Sequence, residues 1–156
     1  MAAMSEQQPF FNIEKVYLKD LSLEIPHAPQ IFTEKESPKV DINLHHELRS
    51  LDNTFYEVVL TSTITAKFQE KTAFLVEVAQ AGIFQIYGLP QREFETLLNV
   101  TCPGILLPYA RESVSAILTR AGFPPVLLPH VNFEAIYQKR LQEQSQAGAA
   151  PAPLNT

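Results

Sequence analysis

From residue 16 onward the chain alternates apolar and polar side chains with a period of two, the pattern of strands that bury one face. Over Val16 to Ile25, Tyr17, Leu21, Leu23 and Ile25 fall on one side, and Leu18, Asp20, Ser22 and Glu24 on the other. Pro26 and Pro29 end this strand. A polar loop, His27 to Lys39, leads to a short strand from Val40 to His46, and Asp52-Asn53 marks a turn. Phe55 to Phe68 is the clearest strand: Tyr56, Val58, Leu60, Ile64 and Ala66 alternate with Glu57, Thr61, Thr63, Thr65 and Lys67. The connection Gln69 to Lys71 is short enough for a hairpin. In the next strand, Thr72 to Tyr87, Phe74, Val76 and Val78 point inward and Ala73, Leu75, Glu77 and Ala79 outward. Gly82 predicts a bend or a bulge.

After Gly88-Leu89-Pro90 the strand pattern stops. Gln91 to Val100 reads as a short helix and Pro103 to Ala121 as a long one. Pro103 is tolerated in a first turn, whereas Pro108 costs an intrahelical bond and bends the helix. Gly122 supplies a left-handed cap and Pro124-Pro125 prevents resumption. Asn132 caps a last helix, Phe133 to about Gln144, with Phe133, Ile136, Tyr137 and Leu141 on one side. Residues 1–9 read as a disordered lead, 10–144 as the domain and 145–156 as a mobile, Ala/Pro-rich tail. The expected fold is α+β: a four-stranded antiparallel Greek-key sheet, first strand beside fourth, with helices packed on one face.

The long helix carries apolar residues (Ile105, Leu106, Leu107, Tyr109, Ala110, Val114, Ile117, Leu118) on more than one side. One short sheet covers a helix once, so a second cover is expected from a copy of the same chain, with Leu106, Tyr109, Val114 and Leu118 at the interface.

At 156 residues, with 46% apolar and 19% charged, the chain has the composition of one soluble domain. Neither a membrane-spanning run nor a signal peptide is legible, which points to the cytoplasm without direct membrane insertion. The formal charge of −5 disfavours a nucleic-acid surface and favours a basic partner.

Catalytic signatures are missing: no phosphate loop, no zinc-hydrolase motif, no nucleophile elbow. Cys102 is the single cysteine, either an activated thiol at a helix start or, as favoured, a buried filler. His45 and His46 would face opposite sides of a strand, and no metal site or cofactor is expected. Asp20, Glu24 and Glu77 share the outward face of strands that the Greek key places side by side. They are either a solvated face or, with Leu75 among them, a docking patch for a basic, partly apolar partner. Phe32, Val40, Ile42, Leu44, Tyr137 and Leu141 flank the same long connection, and in isolation most of them read as core.

Several blocks carry a resemblance: VYLKDLSLEIP, YEVVLTSTITA, FLVEVAQAGIF, CPGILLPYARE through TRAGFPP, and VNFEAIY. Their order and spacing over residues 10–142 identify the chain as a member of the SecB protein-export chaperones. The resemblance implies a homotetramer, a dimer of dimers with the long helices between dimers. It implies an ATP-independent holding chaperone that keeps precursor proteins unfolded and passes them to the SecA motor. In that reading Asp20, Glu24, Leu75 and Glu77 contact SecA, whose tail carries the zinc, and the apolar set lines a client groove. Two departures stand out. Glu36 replaces a tryptophan common in the family's loop, and the tail carries no charge where family tails are often acidic. The alternatives are a general antiaggregation chaperone with toxin-system or stress clients, and a small oligomeric enzyme using the outward carboxylates. An enzyme would hold those carboxylates in a concave pocket, and a docking site would leave them on an open sheet.

Overall fold

Four long strands, β1 (Phe10–Glu24), β2 (Lys39–Asp52), β3 (Phe55–Phe68) and β4 (Lys71–Tyr87), carry most of the computed structural model, which describes residues 8–148. They pair antiparallel in the order β1-β4-β3-β2, which sets the first strand beside the fourth as the Greek key requires. Most of the expected disordered lead and the last eight residues of the expected tail lie outside the described residues. The short links are as expected: Asn53 and Gln69 take positive φ (40° and 55°) in tight turns between paired strands. β2 runs on past His46 because Leu48 and Ser50 continue the ladder opposite Val58 and Tyr56.

The even-numbered residues of β3 and β4, from Val58 to Ala66 and from Phe74 to Ile86, form a buried inner face under the helices. β1 departs from simple alternation. Its inner-face residues are Phe11, Ile13, Val16, Leu18, Leu21 and Leu23, opposite Ile86, Phe84, Gly82, Gln80, Val78 and Val76. Odd positions give way to even and then to odd again, and each change of phase is a bulge, at Glu14 and at Lys19. Tyr17 therefore faces outward opposite Ala81 and Leu18 inward, the reverse of the sequence expectation. Leu21, Leu23, Asp20, Ser22 and Glu24 lie on the expected sides.

The two expected helices are one continuous rod. α1 (Gln91–Thr96) passes through a wide π turn, Leu97–Thr101, into α2 (Cys102–Arg120). Pro103 has no N–H to give and its ring would crowd the carbonyl four residues back. The wide turn relieves this, with the Cys102 N–H reaching Leu97 O. The helix also continues through Pro108.

α2 buries one stripe, Cys102, Pro103, Leu106, Leu107, Ala110, Val114 and Leu118, on the inner sheet face. Each large member contributes roughly 1.5–3 kcal/mol on burial. Gly82 makes no bulge in β4; it makes room for this helix. A Cβ there would stand 2.7 Å from the Phe84 ring and 3.2 Å from Leu106 Cδ2. Gly122 (φ 92°) caps α2 as expected: its N–H donates to Thr119 O at 3.2 Å and that of Phe123 to Leu118 O at 3.0 Å. Arg111 Nε donates to Leu128 O at 2.7 Å and ties the following segment back to α2. Asn132 then caps α3 (Phe133–Gly148), its Oδ1 accepting the Ala135 N–H at 2.9 Å. α3 outruns the expected boundary at residue 144, and Phe133 is its one buried side chain among the described residues.

Candidate functional site

The outer sheet face, opposite the helices, collects the acidic residues read from the sequence. Asp20 stands opposite Ala79, Ser22 opposite Glu77, and Glu24 opposite Leu75. Asp20, Glu24 and Glu77 are exposed and Leu75 is half-buried. Thr63 on β3 donates its hydroxyl to Glu77 Oε2 at 3.4 Å. The four form one contiguous row across two paired strands, on an open surface.

Further along the same face lies a carboxylate that sequence reasoning passed over. Glu57 on β3 is only 7% exposed. It accepts hydrogen bonds from Lys19 Nζ at 2.8 Å and from the Tyr17 hydroxyl, and Arg49 is its cross-strand neighbour. Burial pushes the Glu57 carboxyl up, but the hydrogen bonds from Lys19 and Tyr17 outweigh it and hold the group below its ordinary value. Tyr17 is pushed up to about 12, by burial first and then by its bond to Glu57. Gln80 is the second omission. Its place in the inward series Phe74, Val76, Val78, Gln80 was the signal available, because a polar residue at an inner position needs partners.

The inner side carries a cleft of about 430 Å³ at the end of β2. Phe32, Val40, Phe68, Phe123, Pro125 and Val126 line it, together with Glu36. Phe123 packs between Phe32 and Phe74, with ring centroids at 5.0 and 4.8 Å. Phe32 (48% exposed) and Val40 (39%) present free apolar surface. Ile42 and Leu44 follow on the same face of β2 but are half-buried against the core. Tyr137 and Leu141 do not line this cleft. They lie on α3, where the Tyr137 hydroxyl donates to Glu95 Oε2 at 3.5 Å. Between the two regions His46 links β2 to the π turn and α3. Its Nε2 lies 3.2 Å from Asn99 Oδ1 and its ring meets Phe133 edge-on at 6.4 Å. Burial lowers its pKa against the opposing effect of the Asn99 bond. His45 is exposed on the other face, as expected.

One expectation is corrected. Leu106, Val114 and Leu118 are fully buried against this chain's own sheet, so they have no surface left for an interface. The sheet covers this stripe, and Ile105 and Tyr109 lie outside it. Of the four proposed interface residues only Tyr109, 51% exposed, stands on the free face of α2. Cys102 is the buried filler that the sequence favoured, and burial pushes its thiol up to about 12, which removes the activated-thiol alternative. Among the described residues no three His, Cys, Asp or Glu side chains are grouped to hold a metal, and no helix is long and apolar enough to cross a membrane.

Comparison with known proteins agrees with this architecture. The family model described as preprotein translocase subunit SecB matches residues 4–144. The protein-export protein SecB of Methylobacillus flagellatus is 60% identical over 149 residues, covering 96% of this chain and 95% of the relative. That of Chromobacterium violaceum is 54% identical, covering 96% and 100%. Among solved structures, the SecB-like chaperone of Mycobacterium tuberculosis, in complex with a peptide from an antitoxin, superposes with a TM-score of 0.61. It is 19% identical and covers 78% of this chain and 90% of its own, a likeness of fold alone.

Proposed function

The chain belongs to the SecB family of protein-export chaperones, and on that premise we propose that it acts in the cytoplasm as an ATP-independent holding chaperone. It keeps precursor proteins unfolded and delivers them to the SecA motor. A holder works by binding unfolded chains in preference to folded ones, so no bond need be made or broken. The carrying observation is the exposed row of Asp20, Glu24 and Glu77 around Leu75 on a sheet face that the helices leave open. Three carboxylates beside one aliphatic side chain fit a basic, partly apolar segment, such as a zinc-carrying tail on SecA. The cleft at Phe32 and Val40 supplies adaptable apolar surface for a client. The working form is a homotetramer, with Tyr109 on the free face of α2 in the contact.

Titrating SecA against the wild type and Glu77→Lys tests the docking face. Wild-type affinity should fall as salt rises from about 0.05 to 0.5 M, where the Debye length shrinks from about 14 to 4 Å. Glu77→Lys should bind weakly throughout. Equal binding by the two proteins at every salt concentration would show the acidic row to be an ordinary solvated surface.

A further inference from the structure

Lys19 is the extra residue of a β1 bulge, and where that bulge stands decides which charge takes the slot opposite Ala79. Leu18, opposite Gln80, and Leu21, opposite Val78, are both on the inner face, so one residue between them must drop out of the ladder. In the structure it is Lys19, and Asp20 stands opposite Ala79 beside the acidic row. With the bulge one residue later, Lys19 would stand opposite Ala79 and Asp20 would loop out. The hydrophobic pattern permits either, since Leu21 and Leu23 stay inside in both.

The choice is enforced from both faces of the sheet. On the outer side Glu57 accepts from Lys19 Nζ at 2.8 Å and from the Tyr17 hydroxyl. A carboxylate so far buried needs those donors, so Lys19 is held toward β3 and away from the slot opposite Ala79. On the inner side Gln80 Nε2 donates to the Tyr17 carbonyl at 3.1 Å, while its Oε1 accepts the Ser113 hydroxyl of α2 at 3.3 Å. Tyr17, two residues before the bulge residue, is thereby pinned through backbone and side chain together.

We propose that Glu57 and Gln80 are positioning residues for partner docking: by fixing the bulge at Lys19 they keep Asp20, rather than a lysine, in the acidic row that meets a basic partner. The inference rests on the docking reading above, and its test separates the two.

SecA is titrated against wild type, Tyr17→Phe, Glu57→Gln and Glu77→Lys, each also in an Asp20→Asn background. Amide hydrogen exchange of residues 18–22 is measured on the free proteins. Tyr17→Phe changes no charge and removes one hydroxyl, so it is both the mild variant and the control for direct electrostatics. It should weaken binding roughly three- to tenfold, the equivalent of one lost hydrogen bond, with faster exchange at 18–22 and unchanged exchange along β3. Glu57→Gln should lose at least as much and regain part of it when Lys19→Gln is added. Both losses should shrink in the Asp20→Asn background, because they act partly through that residue, and what remains there is the lysine brought into the row. If Glu77→Lys weakens binding while Tyr17→Phe and Glu57→Gln bind as wild type, docking stands and the positioning role falls. Losses that persist undiminished without Asp20 overturn it as well. If Glu77→Lys also binds as wild type, the docking reading fails. The bulge clamp is then decided by exchange alone, and unchanged exchange at 18–22 in the variants overturns it.

Discussion

The side-chain amide of Gln80 bridges two elements that do not otherwise bond to each other: it takes the Ser113 hydroxyl of α2 at 3.3 Å and gives to the Tyr17 carbonyl of β1 at 3.1 Å. Replacing Gln80 by Leu keeps the volume and strands both partners. The expected cost is about 1–3 kcal/mol, read as a lower denaturant midpoint at unchanged slope. An unchanged midpoint would mean that water satisfies both groups.

Glu57 makes stability depend on pH in a definite direction. Its folded-state pKa lies below the ordinary 4.5, despite burial, because Lys19 and Tyr17 donate to the ionised form. The carboxylate's contribution is therefore present above the unfolded-state pKa and is lost as pH falls through the folded-state pKa. Wild type should exceed Glu57→Gln in stability at pH 7, and the gap should narrow below about pH 4.5. Parallel curves from pH 7 to pH 3 would contradict this.

For client capture, Phe32 and Val40 are the residues to change. Both are exposed, so Phe32→Ser with Val40→Ser should leave the fold intact and forfeit roughly 25 cal/mol for each Å² of apolar contact with an unfolded chain. Suppression of client aggregation should fall while SecA affinity holds. Serine at Ile42 or Leu44 would instead cost stability, because these side chains pack on the core. Undiminished suppression by the double variant would make the cleft a bystander.

Tyr109 tests assembly. Wild type should sediment at about 70 kDa, four times the 17.5 kDa chain, and Tyr109→Lys should shift toward smaller species with its circular dichroism unchanged. A wild-type monomer at micromolar concentration would remove the tetramer from the reading.

Much of this was legible in the sequence for a physical reason. Period-two alternation from Phe55 to Tyr87 leaves no choice of which face the helices cover, so the outward places of Leu75 and Glu77 followed from it, and the order of the strands from one long and two short connections. β1 was harder, because a bulge inverts the alternation and no single residue marks it. Tyr17 is as acceptable inside as outside until the phase of Phe11, Val16 and Leu21 is compared. The rod from Gln91 to Arg120 was divided at Pro103 because proline ordinarily starts a helix, and a π turn was the less common alternative. Apolar residues on two sides of α2 suggested two covers, and within one chain the sheet supplies the first, leaving Ile105 and Ile117 partly buried and Tyr109 exposed. The groove residues were the least legible. Val40, Ile42 and Leu44 are identical in pattern, and only packing separates the exposed first from the half-buried others.

The sheet of β1 to β4 is a partition one strand thick. Phe32 and Val40 open on the helix side of it, and Asp20, Glu24 and Glu77 stand on the other. On the proposed assignment, cargo at the cleft and a motor at the acidic row occupy different faces, so the two do not compete for one surface. On that assignment loading need not be undone before delivery begins, and a ternary complex is the natural intermediate.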